Sequence, residues 1–80
     1  MSTLLGDRIR IAREHYGMSQ TELAKRAGMN KQTLYLIENN KTPDPGALKI
    51  KNIARILNVS TEYLFGFTDE LERRHVAAVA

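Results

Sequence analysis

The stretch SQTELAKRAGMNKQTLYLIEN, residues 19–39, decides the fold of this 80-residue chain. Ser19 is a favourable N-cap residue, and Glu22 follows three positions later, which is the spacing of a capping box. Together they predict a first helix from Gln20 to Ala27. Gly28 is expected to end this helix, because glycine enters the left-handed backbone conformation without a Cβ penalty.

A second short helix follows the glycine turn. Asn30 is a suitable N-cap, and the pattern predicts a helix from Lys31 to Glu38 that buries Leu34 and Ile37 at i,i+3 spacing. Two short helices joined by a tight glycine turn form a helix-turn-helix, whose second helix enters the major groove of DNA. Residues 19–39 therefore predict a DNA-reading motif.

Three segments together resemble the Cro/C1-type (XRE) helix-turn-helix family: SQTELAKRAGMN at 19–30, LYLIENNKTPDP at 34–45 and IARILNVSTEYLF at 53–65. The resemblance runs from about Leu5 to Phe65. It rests on the joint spacing of Arg13, Gly17, Ser19, Gln20, Leu23, Ala24, Gly28, Ile37, Glu38, Pro45, Ile53, Ala54, Leu57, Val59 and Leu64. It implies an all-α, compact five-helix repressor-like domain over residues 1–67, followed by a tail over 68–80.

The other helices are predicted from apolar spacing and end signals. Helix 1 is expected from Thr3 to Tyr16, with the stripe Leu5, Ile9, Ala12 and Tyr16 flanked by Arg8, Arg10 and Arg13. Helix 4 is expected to begin near Pro45 or Gly46 and to end at Leu57, and the preferred interpretation has Asp44 as its N-cap and Pro45 as its first residue. Ser60 is expected to cap a short helix 5 over 61–65. In the tail, Thr68 is a candidate cap for a short sixth helix from Asp69, and for the final segment VAAVA a dimer contact and a frayed end are both open.

Composition bounds the function further. The chain has no cysteine, so disulfides and thiolate metal sites are excluded. The sequence shows no signal peptide and no membrane-spanning run, which leads us to expect a cytoplasmic protein that acts without a membrane or a cofactor. Residues 1–58 hold ten Lys/Arg against five Asp/Glu, whereas residues 59–80 hold two against four. The basic part coincides with the helix-turn-helix, and an uneven basic surface attracts polyanions.

The expected DNA contacts follow from the exposed side of the second motif helix. The base contacts predicted there are Lys31, Gln32, Tyr35 and Leu36, and Gln32 suits adenine because its amide bonds N6 and N7 together. The predicted phosphate contacts are Gln20, Thr33, Asn39, Asn40 and Lys41. For Gln20 this role is implied by the resemblance, and the free N–H groups at a helix N-terminus also attract anions. Asparagine suits the left-handed position that many relatives fill with glycine at residue 40.

The resemblance also implies a structural ion pair and a mode of assembly. Arg13 is expected to pair with Glu38, joining helix 1 to helix 3. Dimer contacts are implied near the last helices, at Phe65, Phe67, Leu71 and Val76.

The function expected is a sequence-specific transcriptional regulator, a repressor that binds double-stranded DNA at a palindromic operator as a homodimer. The alternative is an antitoxin or adaptor that binds a protein partner through its C-terminal region. An enzyme is not expected, because His15 and His75 are far apart in sequence and no nucleophile, acidic-cluster or phosphate-loop motif is present.

Overall fold

A computed structural model describes residues 4–71. In that range the chain forms five helices and no strands: α1 (Leu5–His15), α2 (Gln20–Arg26), α3 (Lys31–Glu38), α4 (Ala47–Leu57) and α5 (Thr61–Leu64). This is the all-α, five-helix architecture expected from the sequence.

The core lies between α1 and the other four helices. Helices α2 and α3 pack against each other, α1 packs on α3, α4 and α5, and α4 also touches α2. The buried apolar side chains are Ile9, Ala12, Leu23, Ala24, Leu34, Ile37, Ile50, Ile53, Ala54, Leu57, Val59, Tyr63 and Leu64. Every helix contributes to this single cluster, so the position of α3 depends on all of them.

Side-chain caps fix three helix starts as the sequence predicts. Ser19 Oγ accepts a hydrogen bond from the Glu22 N–H at 3.0 Å. Asn30 Oδ1 accepts from the Thr33 N–H at 2.7 Å, and Ser60 Oγ accepts from the Tyr63 N–H at 3.0 Å. Each cap satisfies a backbone donor that has no partner inside its helix, which is worth about 1 kcal/mol.

Helix α1 differs from its prediction at both ends and on one face. Leu4 is an extended N-cap, so the helix starts at Leu5, two residues later than predicted. It ends at His15, and Tyr16 is 39% exposed instead of extending the buried stripe. Gly17 with φ +69° turns the chain away there, so the stripe loses its last position. Arg8, expected to flank the stripe, is instead 1% exposed.

Helix α4 begins later than predicted. Its N-cap is Gly46, whose φ of +96° is incompatible with a helix, so Pro45 is not the first helical residue. Asp44 is not the N-cap. Its Oδ1 accepts from the Gly46 N–H at 3.1 Å, which forms a local turn before the helix.

The described part of the tail is not helical. Asp69 to Leu71 lacks helical structure, and Thr68 Oγ1 accepts from the Glu70 N–H at 3.2 Å. The sixth helix therefore does not begin at Asp69. The remainder of that prediction, including Val76, falls outside the described residues. No helix within residues 4–71 is long and apolar enough to cross a membrane.

Candidate nucleic-acid interface

The turn between α2 and α3 fixes how α3 is presented. Gly28 has φ +72°, and no heavy atom lies within 4 Å of an added Cβ, so the backbone conformation rather than crowding calls for glycine there. The Met29 N–H donates to the Ala24 carbonyl at 2.9 Å, which closes the turn. Helix α3 then buries Leu34 and Ile37 and turns its opposite side outward.

The outward side of α3 holds the predicted base contacts. Lys31 and Gln32 are exposed at its N-terminal end, and Tyr35 is 46% exposed one turn later. Leu36 is half-buried, so only part of it is accessible. Lys31, Gln32 and Tyr35 thus supply an ammonium, an amide and a phenol on a helix of the size that the major groove admits.

The predicted phosphate contacts differ in how exposed their side chains are and in whether they already bond within the domain. Lys41 is exposed just after α3, and Thr33 is half-buried in its first turn. Asn39 is exposed, and its Nδ2 donates to the Tyr35 carbonyl at 2.8 Å. Gln20, at the start of α2, donates from Nε2 to Glu38 Oε1 at 2.9 Å, so part of its amide is already used inside the domain.

The ion pair expected between Arg13 and Glu38 is present and lies beneath α3. Arg13 Nε donates to Glu38 Oε2 at 2.7 Å, and Nη2 donates to Oε1 at 3.1 Å. The Glu38 side chain is 1% exposed and the Arg13 side chain 11%. Arg13 Nη1 also donates to the Met18 carbonyl at 2.9 Å. With Gln20 included, the carboxylate of Glu38 joins α1, α2 and α3.

Asn40 occupies a position that the sequence only partly predicted. Its φ of +59° is left-handed, as expected. Its side chain, however, is directed at α1: Oδ1 accepts from the Gly6 N–H at 2.9 Å and Nδ2 donates to Asp7 Oδ1 at 3.0 Å. Both ends of the amide are thus used within the domain, and a contact from this side chain to phosphate requires those bonds to change.

Two residues that support the interface were missed. Gly6 packs on the end of α3, where an added Cβ would clash with the Ile37 carbonyl and lie 2.7 Å from the Glu38 carbonyl. Arg8 is buried in the same turn. A signal for each exists in the sequence: a glycine inside a helix lowers its stability, and Arg8 borders the apolar stripe, three residues after Leu5 and one before Ile9.

A preformed helix-turn-helix whose second helix, α3, is exposed and polar on its outer side defines a DNA-binding domain, and α3 is its recognition helix. Within residues 4–71, no group of three His, Asp or Glu side chains is arranged to hold a metal ion.

Comparison with known proteins gives the family. The helix-turn-helix family model matches residues 9–64. The chain belongs to the Cro/C1-type (XRE) helix-turn-helix family of DNA-binding transcriptional regulators. It is 43% identical over 63 residues to an uncharacterized HTH-type transcriptional regulator of Archaeoglobus fulgidus, covering 79% of this chain and 89% of that protein. It is 35% identical to the HTH-type transcriptional regulator SinR of Bacillus licheniformis, covering 86% of this chain but 62% of SinR.

Solved structures give the same fold. The N-terminal DNA-binding domain of SinR from Bacillus subtilis matches with a TM-score of 0.73 and 30% identity, over 92% of this chain and 99% of that one. SinR in complex with DNA matches with a TM-score of 0.70 and 36% identity, over 74% and 97%. A SinR/SinI protein complex matches with a TM-score of 0.72 and 35% identity, over 75% of this chain and 58% of that one.

Proposed function

We propose that this regulator is a repressor that binds a palindromic operator as a dimer and reads each half-site with α3. The observation behind this proposal is the outward, polar side of α3, on a domain whose fold matches SinR in complex with DNA. A single domain of this size reads only a short site. Two-fold dimers on half-sites about one helical turn apart are the usual way such domains gain specificity.

Base selection is assigned to the first half of α3. Gln32 is exposed and its amide matches the N6 and N7 groups of adenine, while Lys31 suits guanine or a phosphate. Tyr35 and the accessible part of Leu36 lie one turn further and would contact bases through apolar atoms. A Leu36 methyl group against a thymine methyl is the contact expected there.

Phosphate contacts are assigned to both ends of the motif. Lys41 offers an exposed ammonium beyond α3, and Gln20 stands at the N-terminus of α2, whose positive helix end attracts anions. Asn39 and Thr33 flank α3 and complete the set. Asn40 joins the phosphate contacts only if its side chain gives up its hydrogen bonds to α1 and bonds a DNA phosphate instead. Such contacts set the register of the protein on the duplex without selecting its sequence.

Dimer formation is assigned to the surface after α5. Phe67 is 82% exposed and Phe65 49%, which is unusual for two aromatic side chains so close in sequence. Leu71 packs partly against the core nearby. The same surface supports the second candidate, a protein partner bound through the C-terminal region, since a SinR/SinI protein complex is among the similar structures.

The experiment that tests the proposal is selection of bound duplexes from a random DNA pool at two salt concentrations. A recovered palindrome supports the dimeric repressor, and its centre spacing gives the dimer geometry. If the selected duplexes share no motif and binding falls steeply as the salt concentration rises, the binding is nonspecific and comes from counterion release at a basic surface. No binding at either salt concentration would favour the protein-partner candidate.

Two variants separate base contacts from phosphate contacts. Gln32→Ala should change the preference at one base pair, at a cost of about 1–3 kcal/mol for the preferred base. Lys41→Ala should weaken binding to all DNA sequences alike and lower the slope of log K against log salt concentration by about 1. An unaltered preference in Gln32→Ala would remove the role assigned to that residue.

A further inference from the structure

The first turn of α1 contacts two parts of the molecule that are far apart in sequence. On one side it meets the end of the recognition helix, through Gly6 and Asp7. On the other side it meets the chain after α5, through Arg8. These three residues are consecutive, so both contacts are made within a single helical turn.

The contact with the recognition helix is short and specific. The N-cap of α1 is Leu4, which offers no side-chain hydrogen bond, so the first amides of α1 need acceptors from elsewhere. Asn40 Oδ1 accepts from the Gly6 N–H at 2.9 Å and thereby caps α1 from 34 residues away. The same residue turns the backbone at the end of α3 with φ +59°. One asparagine thus ends the recognition helix and begins α1.

The contact with the chain after α5 is made by a buried charge. Arg8 is 1% exposed, and its Cζ lies 4.6 Å from the centroid of the Tyr63 ring. Its Nη1 donates to the Thr68 carbonyl at 2.8 Å, and its Nη2 donates to Asp69 Oδ1 at 2.7 Å. A buried guanidinium depends strongly on such partners, because the cost of desolvating it is offset only while they remain.

The carboxylate that neutralises Arg8 is accessible to other molecules. Asp69 is 72% exposed although Arg8 is buried. A cationic group from outside can therefore compete with Arg8 for this carboxylate. Phe67, 82% exposed two residues earlier, adds an apolar anchor, so the surface fits a partner segment that is both basic and apolar.

We propose that the first turn of α1 couples the chain after α5 to the recognition helix, with Arg8 and Asn40 as positioning residues. A basic partner segment that engages Asp69 would then lower the affinity for DNA without touching the DNA surface. This inference rests on the proposed reading of DNA by α3, and it assigns a regulatory surface to it.

The test compares two charge reversals on the full chain. Asp69→Lys removes the carboxylate that bonds Arg8 Nη2, whereas Glu62→Lys makes the same charge change on the exposed surface of α5. We expect Asp69→Lys to weaken binding to a single half-site duplex about three- to tenfold more than Glu62→Lys does. Asp69→Asn, which keeps an oxygen acceptor for Arg8, should recover most of the loss. Melting curves of each variant check that it remains folded.

The part that Asn40 plays in the coupling is measured separately. Asn40→Gly keeps the left-handed backbone but removes both side-chain bonds to α1, so in that background Asp69→Lys and Glu62→Lys should have equal effects. In the DNA-free protein, NMR signals of the Gly6 amide and the Asn40 side-chain amide should shift in Asp69→Lys and stay in place in Glu62→Lys.

The outcomes separate the coupling from the proposed function. Equal DNA affinities of the two charge reversals, a difference that persists in Asn40→Gly, or unmoved Gly6 and Asn40 signals would each overturn the coupling. Failure of the unmodified protein to select any DNA motif would instead overturn the proposed function, and the NMR comparison would still decide the coupling.

Discussion

Replacement of Arg13 by methionine should strongly destabilise the domain, because it leaves the Glu38 carboxylate buried without its cation. The carboxylate is 1% exposed and accepts from Arg13 at 2.7 and 3.1 Å. Removing one partner of a buried pair costs about 3–5 kcal/mol. The Gln20 amide still donates to Oε1, so we expect the lower end, about 3 kcal/mol. For a domain of this size that lowers Tm by about 12–24 °C.

The double variant Arg13→Met/Glu38→Met separates the ion pair from packing. Apolar replacement of both partners is often neutral, so the double variant should be more stable than Arg13→Met alone. The loss of the Arg13 bond to the Met18 carbonyl is common to both variants and cancels. We expect a coupling energy of at least about 1.5 kcal/mol from the four-member cycle.

Thermal and urea unfolding followed by circular dichroism at neutral pH give the required free energies. A high-salt series provides the control, since a buried pair is screened much less than surface pairs such as Arg26–Glu22. A coupling energy near zero, or a double variant less stable than both single variants, would refute the argument that Glu38 depends on Arg13.

Three further predictions concern other contacts. Gly6→Ala should lower stability by about 1–3 kcal/mol in a melting experiment, because the new methyl group meets the carbonyls at the end of α3, and unchanged stability would contradict that close packing. Ser60→Ala should cost about 1 kcal/mol through loss of the α5 cap, whereas Ser60→Asp should retain most of it. Phe67→Asp should weaken self-association in sedimentation experiments with little change in Tm, since the side chain is 82% exposed, and a wild-type dimer would argue against this contact.

Local signals in the sequence predicted the helices of the DNA-binding motif, except that α2 ends at Arg26, one residue earlier than expected. The caps at Ser19 and Asn30, the left-handed turn at Gly28 and the limits of α3 are set by interactions within a few residues, and the structure contains them as predicted. The pair Arg13–Glu38 was also expected, although only through the family resemblance. The exposed side of α3 followed from the buried side, because helical periodicity determines both.

The sequence was a weaker guide where a residue's role depends on the backbone turn around it or on distant parts of the chain. Asp44 is a good N-cap by type, but the φ of +96° at Gly46 moves the start of α4 beyond it. Asn40 was assigned to phosphate because it is polar and follows the recognition helix. Its amide also bonds Gly6 and Asp7, more than thirty residues away, and the phosphate contact stays a prediction.

Arg8 shows most clearly what only the tertiary structure decided. The sequence placed it beside the apolar stripe of α1, and arginine is rarely fully buried, so the residue type favoured the surface. Burial became possible because Tyr63, Thr68 and Asp69 gather around the guanidinium from 55 to 61 residues away. The sequence by itself determined the number and order of the helices and most of the apolar positions that they bury, since both follow from local spacing. The fold decided which polar side chains remain available to DNA and which hold the recognition helix in place, because that depends on partners that meet only after the helices pack.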